Sequence, residues 1–243
     1  MPETTTETFR RRFLSTWLDY VKSVAQQAEN RSRSLILDLD SYFPLRRHTS
    51  GAPSTIALYE MDLDIPDEVR EHPTIRMLEV LAVDLIVIAN VSAVPSPMVR
   101  IYPIDVGSPS ASAQDLLSYN KEQAIGDDEH NIVTVIMKQF QVGVQQAIDK
   151  AGELSHEKME KFCALYQHLP RWVGPVDLDV QKLVDGMAQC VSGVLHWSYE
   201  SQRYFGTQGL EVKRTRMVHL LPRLKAIGGG GGVRLGPGPC PCP

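Results

Sequence analysis

Little in this chain is basic, long and apolar, or rich in cysteine, and each shortage removes a class of function. Lys and Arg number 25 against 29 Asp and Glu, a net charge of −4. That balance leaves no footprint for nucleic acid or an anionic membrane. The longest apolar run, Val80 to Val94, is broken by Asp84 and Asn90 and is too short to span a bilayer. No basic stretch leading into an apolar run opens the chain, so no secretory signal is read. Four cysteines make no disulfide framework. Cys163 and Cys190 fall in helical patterns and read as small core or near-surface residues. Cys240 and Cys242 lie in a terminal Cys-Pro-Cys-Pro, where the prolines are wrong for prenylation. His130 has no second ligand at a zinc-like spacing. A reduced, cytoplasmic protein is expected. At 243 residues, 43% hydrophobic and 22% charged, the chain can hold one domain with a sizeable core.

What is present is helix. Thr8 to Asn30 repeats Phe9, Phe13, Trp17, Val21, Val24 and Ala28 at steps of three and four, an aromatic stripe expected to be core. Leu35 to Thr49 predicts a second helix, kinked or restarted near Pro44, with Gly51 as its C-cap. Short helices follow at Ser54–Met61 and Pro66–Glu71, Pro66 suiting the first helical position. Thr74 to Asn90 is apolar nearly all round, the mark of a buried helix, and Asp84 inside it needs a partner. Ile132 to Phe140, Val142 to Leu169 and Val176 to Ser198 complete the series. Asp127 and Asp128 read as caps and dipole partners ahead of Ile132. Trp197, Tyr199, Tyr204 and Phe205 cluster after the last helix, for core packing or for cation–π contact with a carbocation. From Ala226 on, a Gly/Pro/Cys tail (226–243) has no core-forming residues and is expected to be disordered.

One stretch carries chemistry. In Gln114-Asp115-Leu116-Leu117-Ser118-Tyr119-Asn120-Lys121-Glu122, positions 114, 118 and 122 share one helical face. A hydroxyl and a carboxylate on that face are hard oxygen ligands suited to Mg²⁺, and Lys121 can meet a phosphate. Gln114 is a poor first ligand. The stretch resembles the second metal motif of class I terpene synthases, (Asn/Asp)-Asp-x-x-(Ser/Thr)-x-x-(Lys/Arg)-Glu. It is most similar to that of fungal-type sesquiterpene cyclases, in which the run continues as SYNKEQA-x-GDD-x-HN. This chain reads SYNKEQAIGDDEHN from Ser118 to Asn131. A solvated helix face is the bland alternative.

The misfit of Gln114 has an explanation. The 24 residues from Val91 to Gln114 hold Pro95, Pro97, Pro103, Pro109 and five serines between two helical segments. No helix runs through such a stretch, and a long structureless loop inside a compact element argues against the segment itself. Without it, Asn90 joins Asp115 and the motif is restored with Asn90 as first ligand. Val91-Ser92 can be encoded by GTGAGT, a splice donor, and Gln114 by CAG, an acceptor. A retained intron at 91–114 is therefore expected, with a genuine loop insertion as the alternative.

The resemblance runs from about Thr6 to Pro222 and implies an all-α helical bundle over residues 1–225, incomplete at the N-terminus, enclosing an apolar pocket. It implies a carbon–oxygen lyase that ionises farnesyl diphosphate and cyclises the carbocation. Its metal ligands would be Asn90, Ser118 and Glu122 for Mg²⁺. Its diphosphate ligands would be Lys121, the pair Arg203 and Tyr204, and an upstream arginine. Arg47 fits that last role better than Arg46, because Ser50 and Gly51 follow it. Unaided, the helix dipole would explain both arginines. The family's aspartate-rich motif, Asp-Asp-x-x-Asp or Asp-Glu-x-x-Asp, does not occur ahead of Arg47, so this chain is expected to be inactive or nearly so. A non-catalytic helical remnant binding diphosphate or a partner is the competing reading, and prenyl elongation a third.

Overall fold

The computed structural model describes residues 5–88, 98–100 and 115–224. Helix α1 (Glu7–Ser32) starts at Thr6, whose hydroxyl accepts the Phe9 N–H. Helix α2 (Leu39–Thr49) is capped by Asp38, begins four residues later than the pattern suggested, and runs through Pro44. It stops where Gly51 takes φ +74°, a left-handed conformation that glycine adopts without a Cβ penalty. That glycine also opens α3 (Ala52–Ala57), which tightens into a 3₁₀ turn at Leu58–Glu60. Pro66 precedes α4 (Asp67–Arg70) as its N-cap rather than as its first helical residue.

Helix α5 (Pro73–Val87) has proline at its first turn and ten buried residues, as its all-round apolarity predicts. It packs between α8 (Val144–Gln167) and α9 (Pro175–Glu200), with Leu78, Leu85, Met159, Phe162, Leu183 and Met187 in one core cluster. A second cluster joins Tyr42 of α2 to α6 (Asp115–Ile125) and α7 (Ile132–Phe140) through Leu117, Ile132 and Ile136. The chain then turns through α10 (Gln202–Phe205) and α11 (Gly209–Thr215). A Cβ at Gly209 would lie 1.9 Å from the Tyr199 carbonyl oxygen, so only glycine lets α11 fold back this closely on α9.

Two expectations are corrected. The Pro/Ser-rich stretch contributes a three-residue strand, β1 (Met98–Arg100), antiparallel to β2 (Met217–His219) with Val99 opposite Val218. Strand β1 sits between Pro97 and Pro103, where the sequence turns to Val, Ile and Tyr. The α1 stripe is not core beyond Phe9. Trp17 is 49% exposed, Val21 50%, and Leu18 beside them 55%. α1 is instead held from its other side, where Arg12 reaches Glu60, Asp67 and the Ile65 carbonyl.

Candidate metal and diphosphate site

Helix α6 divides its motif between two faces. Ser118 and Glu122, one turn apart and half-buried, look toward the start of α7. There the Asn131 amide nitrogen donates to Glu122 Oε2 at 2.9 Å and reaches Ser118 Oγ at 3.5 Å. Asn120 and Gln123 face the other way. Asn120 donates to the His219 carbonyl at 2.9 Å and accepts from the Leu221 N–H at 2.7 Å. Gln123 donates to the Leu221 carbonyl at 2.7 Å, and the Leu224 N–H donates to the Ala124 carbonyl at 2.8 Å. Residues 217–224 are thus strapped along α6. Arg223, at the end of the strap, meets Asp128 at 3.2 Å.

The predicted diphosphate ligands fall in two places. Lys121 Nζ donates to the Arg203 carbonyl, which joins α6 to α10. The Arg203 guanidinium lies 5.6 Å from the ring centroid of buried Tyr204, within cation–π range. Lys121 therefore ties α10, with Arg203 and Tyr204, to the helix that carries Ser118 and Glu122. Arg47 stands elsewhere, among α2, α5 and α8. It holds Asp84 by two bonds of 2.6 and 2.9 Å, and Lys158 adds a third at 2.7 Å. Asp84 is fully buried while Arg47 keeps 28% of its side chain exposed. Asn90 lies outside the described residues, as do Gln114 and the tail from Lys225.

A cavity of about 460 Å³ adjoins Arg47, its wall mixing charged side chains with apolar ones such as Pro44, Ala57, Val80 and Val83. It is lined by Arg11, Arg12, Glu60, Arg70 and Glu79 among others, and Ser118 and Glu122 are not part of it. An ion network forms part of this wall. Arg70 bonds Glu60 at 2.7 Å and Glu79 at 2.9 Å in the interior. Burial opposes the Arg70 charge, yet Glu79 and Glu60 more than compensate and hold it protonated.

Around α7 the electrostatics also depart from expectation. Asn131, not Asp127 or Asp128, caps the helix, its Oδ1 accepting the Val133 N–H at 3.0 Å. Asp128 accepts the Thr134 hydroxyl at 2.7 Å, and Asp127 pairs with Arg31 at 3.2 Å. Burial, helped by Arg31, pushes the His130 pKa down. Tyr119, on the buried side of α6, is pushed up to about 12, by burial first and Asp128 second. The late aromatics pack on one another: Tyr199 stacks on Phe205 at 5.8 Å and Trp197 meets Tyr204 edge-on at 6.2 Å. Sequence reasoning missed Asn131, although it ends the matched run, and it missed Lys158 and the strap.

The donor set suits a hard dication. Among the described residues no group of three His, Cys, Asp or Glu could hold a metal. Besides the Glu122 carboxylate, this face of α6 presents the Ser118 hydroxyl. Hard oxygen ligands of this kind fit Mg²⁺.

The helical architecture is that of class I terpene synthases. Germacradien-4-ol synthase from Streptomyces citricolor superposes with a TM-score of 0.58 at 20% identity, over 79% of this chain and 56% of that one. The profile of terpene synthase family 2, C-terminal metal binding, matches residues 1–161, and the chain belongs to that family. A Delta(6)-protoilludene synthase of Stereum hirsutum is 38% identical over 224 residues, 90% of this chain and 54% of that protein. Sesquiterpene synthase 1 of Postia placenta is 38% identical over 216 residues, 88% of this chain and 56% of that protein. The chain spans about half the length of the curated relatives it matches. No described helix is long and apolar enough to cross a membrane.

Proposed function

We propose that this chain carries the second metal site and the diphosphate-binding residues of a sesquiterpene cyclase acting on farnesyl diphosphate. The observation that carries the reading is the common face of Ser118 and Glu122, joined by Asn131 and flanked by Lys121, Arg203 and Tyr204. Asn90, Ser118 and Glu122 would hold Mg²⁺, which when bound supplies Lewis-acid polarisation of the leaving diphosphate. Lys121 and Arg203 place fixed positive charge where negative charge develops, and the Tyr204 hydroxyl adds a donor. Arg47 offers a forked guanidinium to diphosphate oxygens, with Asp84 holding its orientation. Residues 1–225 form the cyclase-like unit, and 91–114 is a translated intron that parts Asn90 from Asp115.

Calorimetric titration with MgCl₂ and inorganic diphosphate tests this. The chain should bind diphosphate only with Mg²⁺, Glu122→Gln should abolish binding, and deletion of 91–114 should tighten it by restoring Asn90 beside Asp115. Equal binding by the Glu122→Gln variant, or none by either chain, would refute the metal site. Unchanged binding in the deletion variant would refute Asn90 as a ligand, and sequencing that finds codons 91–114 in the mature message would refute the intron.

A further inference from the structure

Asn131 has its two amide ends committed to different elements. Its Oδ1 accepts the Val133 N–H at 3.0 Å and so caps α7. A carbonyl oxygen accepts and an NH₂ group donates, so this cap decides which way the amide is turned. The Nδ2 end must then face α6, where it meets Glu122 Oε2 at 2.9 Å and Ser118 Oγ at 3.5 Å. The side chain is fully buried, and its backbone N–H donates to the Asp128 carbonyl at 3.1 Å, which closes the turn beneath it. Burying an amide is costly unless its groups are bonded, and here both ends are used.

We infer that Asn131 is the positioning residue of the ligand face, fixing the Glu122 carboxylate and Ser118 hydroxyl with an amide that the α7 cap keeps from flipping. The inference rests on reading Ser118 and Glu122 as metal ligands. A neutral donor suits the task. It orients the carboxylate without cancelling the negative charge a dication needs, as a lysine or arginine there would. It also ties the site to α7, whose Ile132, Val133, Val135 and Ile136 are buried in the core. The ligand geometry is thereby referred to a rigid helix rather than to a loop.

Asn131→Ser separates capping from positioning, because serine caps as well as asparagine but cannot donate an amide N–H across to Glu122. Mn²⁺ titration of the full chain, followed by electron paramagnetic resonance, reads affinity, and thermal unfolding reads the cap. The expected result is a melting temperature close to the parent with Mn²⁺ affinity lower by about 10–100-fold. Parent-like affinity in Asn131→Ser, with loss in Glu122→Gln, would overturn the role of Asn131 and leave the ligand reading standing. No Mn²⁺ binding by the parent would overturn both. A measurement on the unsubstituted chain needs no variant to fold: bound Mn²⁺ should broaden the Asn131 side-chain NH₂ resonances ahead of surface amides. Sharp Asn131 resonances at saturating Mn²⁺ would also overturn the inference.

Discussion

At the scale of single residues, the Asp84 carboxylate is the most demanding group in the interior. It is fully buried and answered by two cations, so its charge is over-compensated rather than merely paired. Removing the carboxylate would leave Arg47 and Lys158 facing each other in a poorly solvated place. Breaking a buried pair from one side costs about 3–5 kcal/mol. Asp84→Asn should therefore destabilise by about that much, measured by urea unfolding. Lys158→Met leaves the two Arg47 bonds intact and should cost only about 1.5–3 kcal/mol, the range for one bond to a charged group. The reverse order would mean that Lys158, not Arg47, is the principal partner. The need for a partner was legible in the sequence, since an aspartate in an apolar helix cannot stay unpaired. The partner's identity was not, because Arg47 is 37 residues and Lys158 74 residues away in the chain.

At the scale of elements, α6 shows what a motif match conveys and what it conceals. The spacing of Ser118 and Glu122 correctly placed both on one helical face. The same string left Asn120 and Gln123 without a role, because the segment they hold, 217–224, has no regular pattern of its own. Each of these side chains stands in for a strand partner, offering the strap the donors and acceptors that another backbone would supply. Asn120→Ala with Gln123→Ala should therefore free the strap while leaving α6 formed. Amide hydrogen exchange at Leu221 should rise by at least tenfold in the double variant, with protection in α7 unchanged. Unchanged exchange at Leu221 would show that β2 and the core contacts of Val218 and Leu220 alone hold the segment. Helix limits were readable where an apolar run is sharply bounded: α7 begins at Ile132 and ends at Phe140, as its pattern predicts. They shifted at α2, which starts behind its Asp38 cap rather than at Leu35, and the cap of α7 fell to Asn131 rather than to Asp127 or Asp128.

At the scale of the whole molecule, periodicity predicted the α1 helix correctly and its environment wrongly. A three-and-four repeat of apolar residues says that one face is amphipathic; it does not say what covers that face. Trp17, Val21 and Val24 of the stripe are exposed against the described residues, as are Leu14 and Leu18 beside them. α1 is fastened at Phe9, the buried start of the stripe, and through the Arg12 bonds to Glu60 and Asp67. An exposed apolar stripe of this length is unusual on a protein surface. Its exposure makes a clear stability prediction. Trp17→Gln and Val21→Gln should each change unfolding free energy by no more than about 0.5 kcal/mol, as surface substitutions do. Phe9→Ala, on the same helix but inside the core, should cost about 3–5 kcal/mol. A loss above about 2 kcal/mol from Trp17→Gln would show that the stripe is covered in solution. It would then have the role its pattern first suggested.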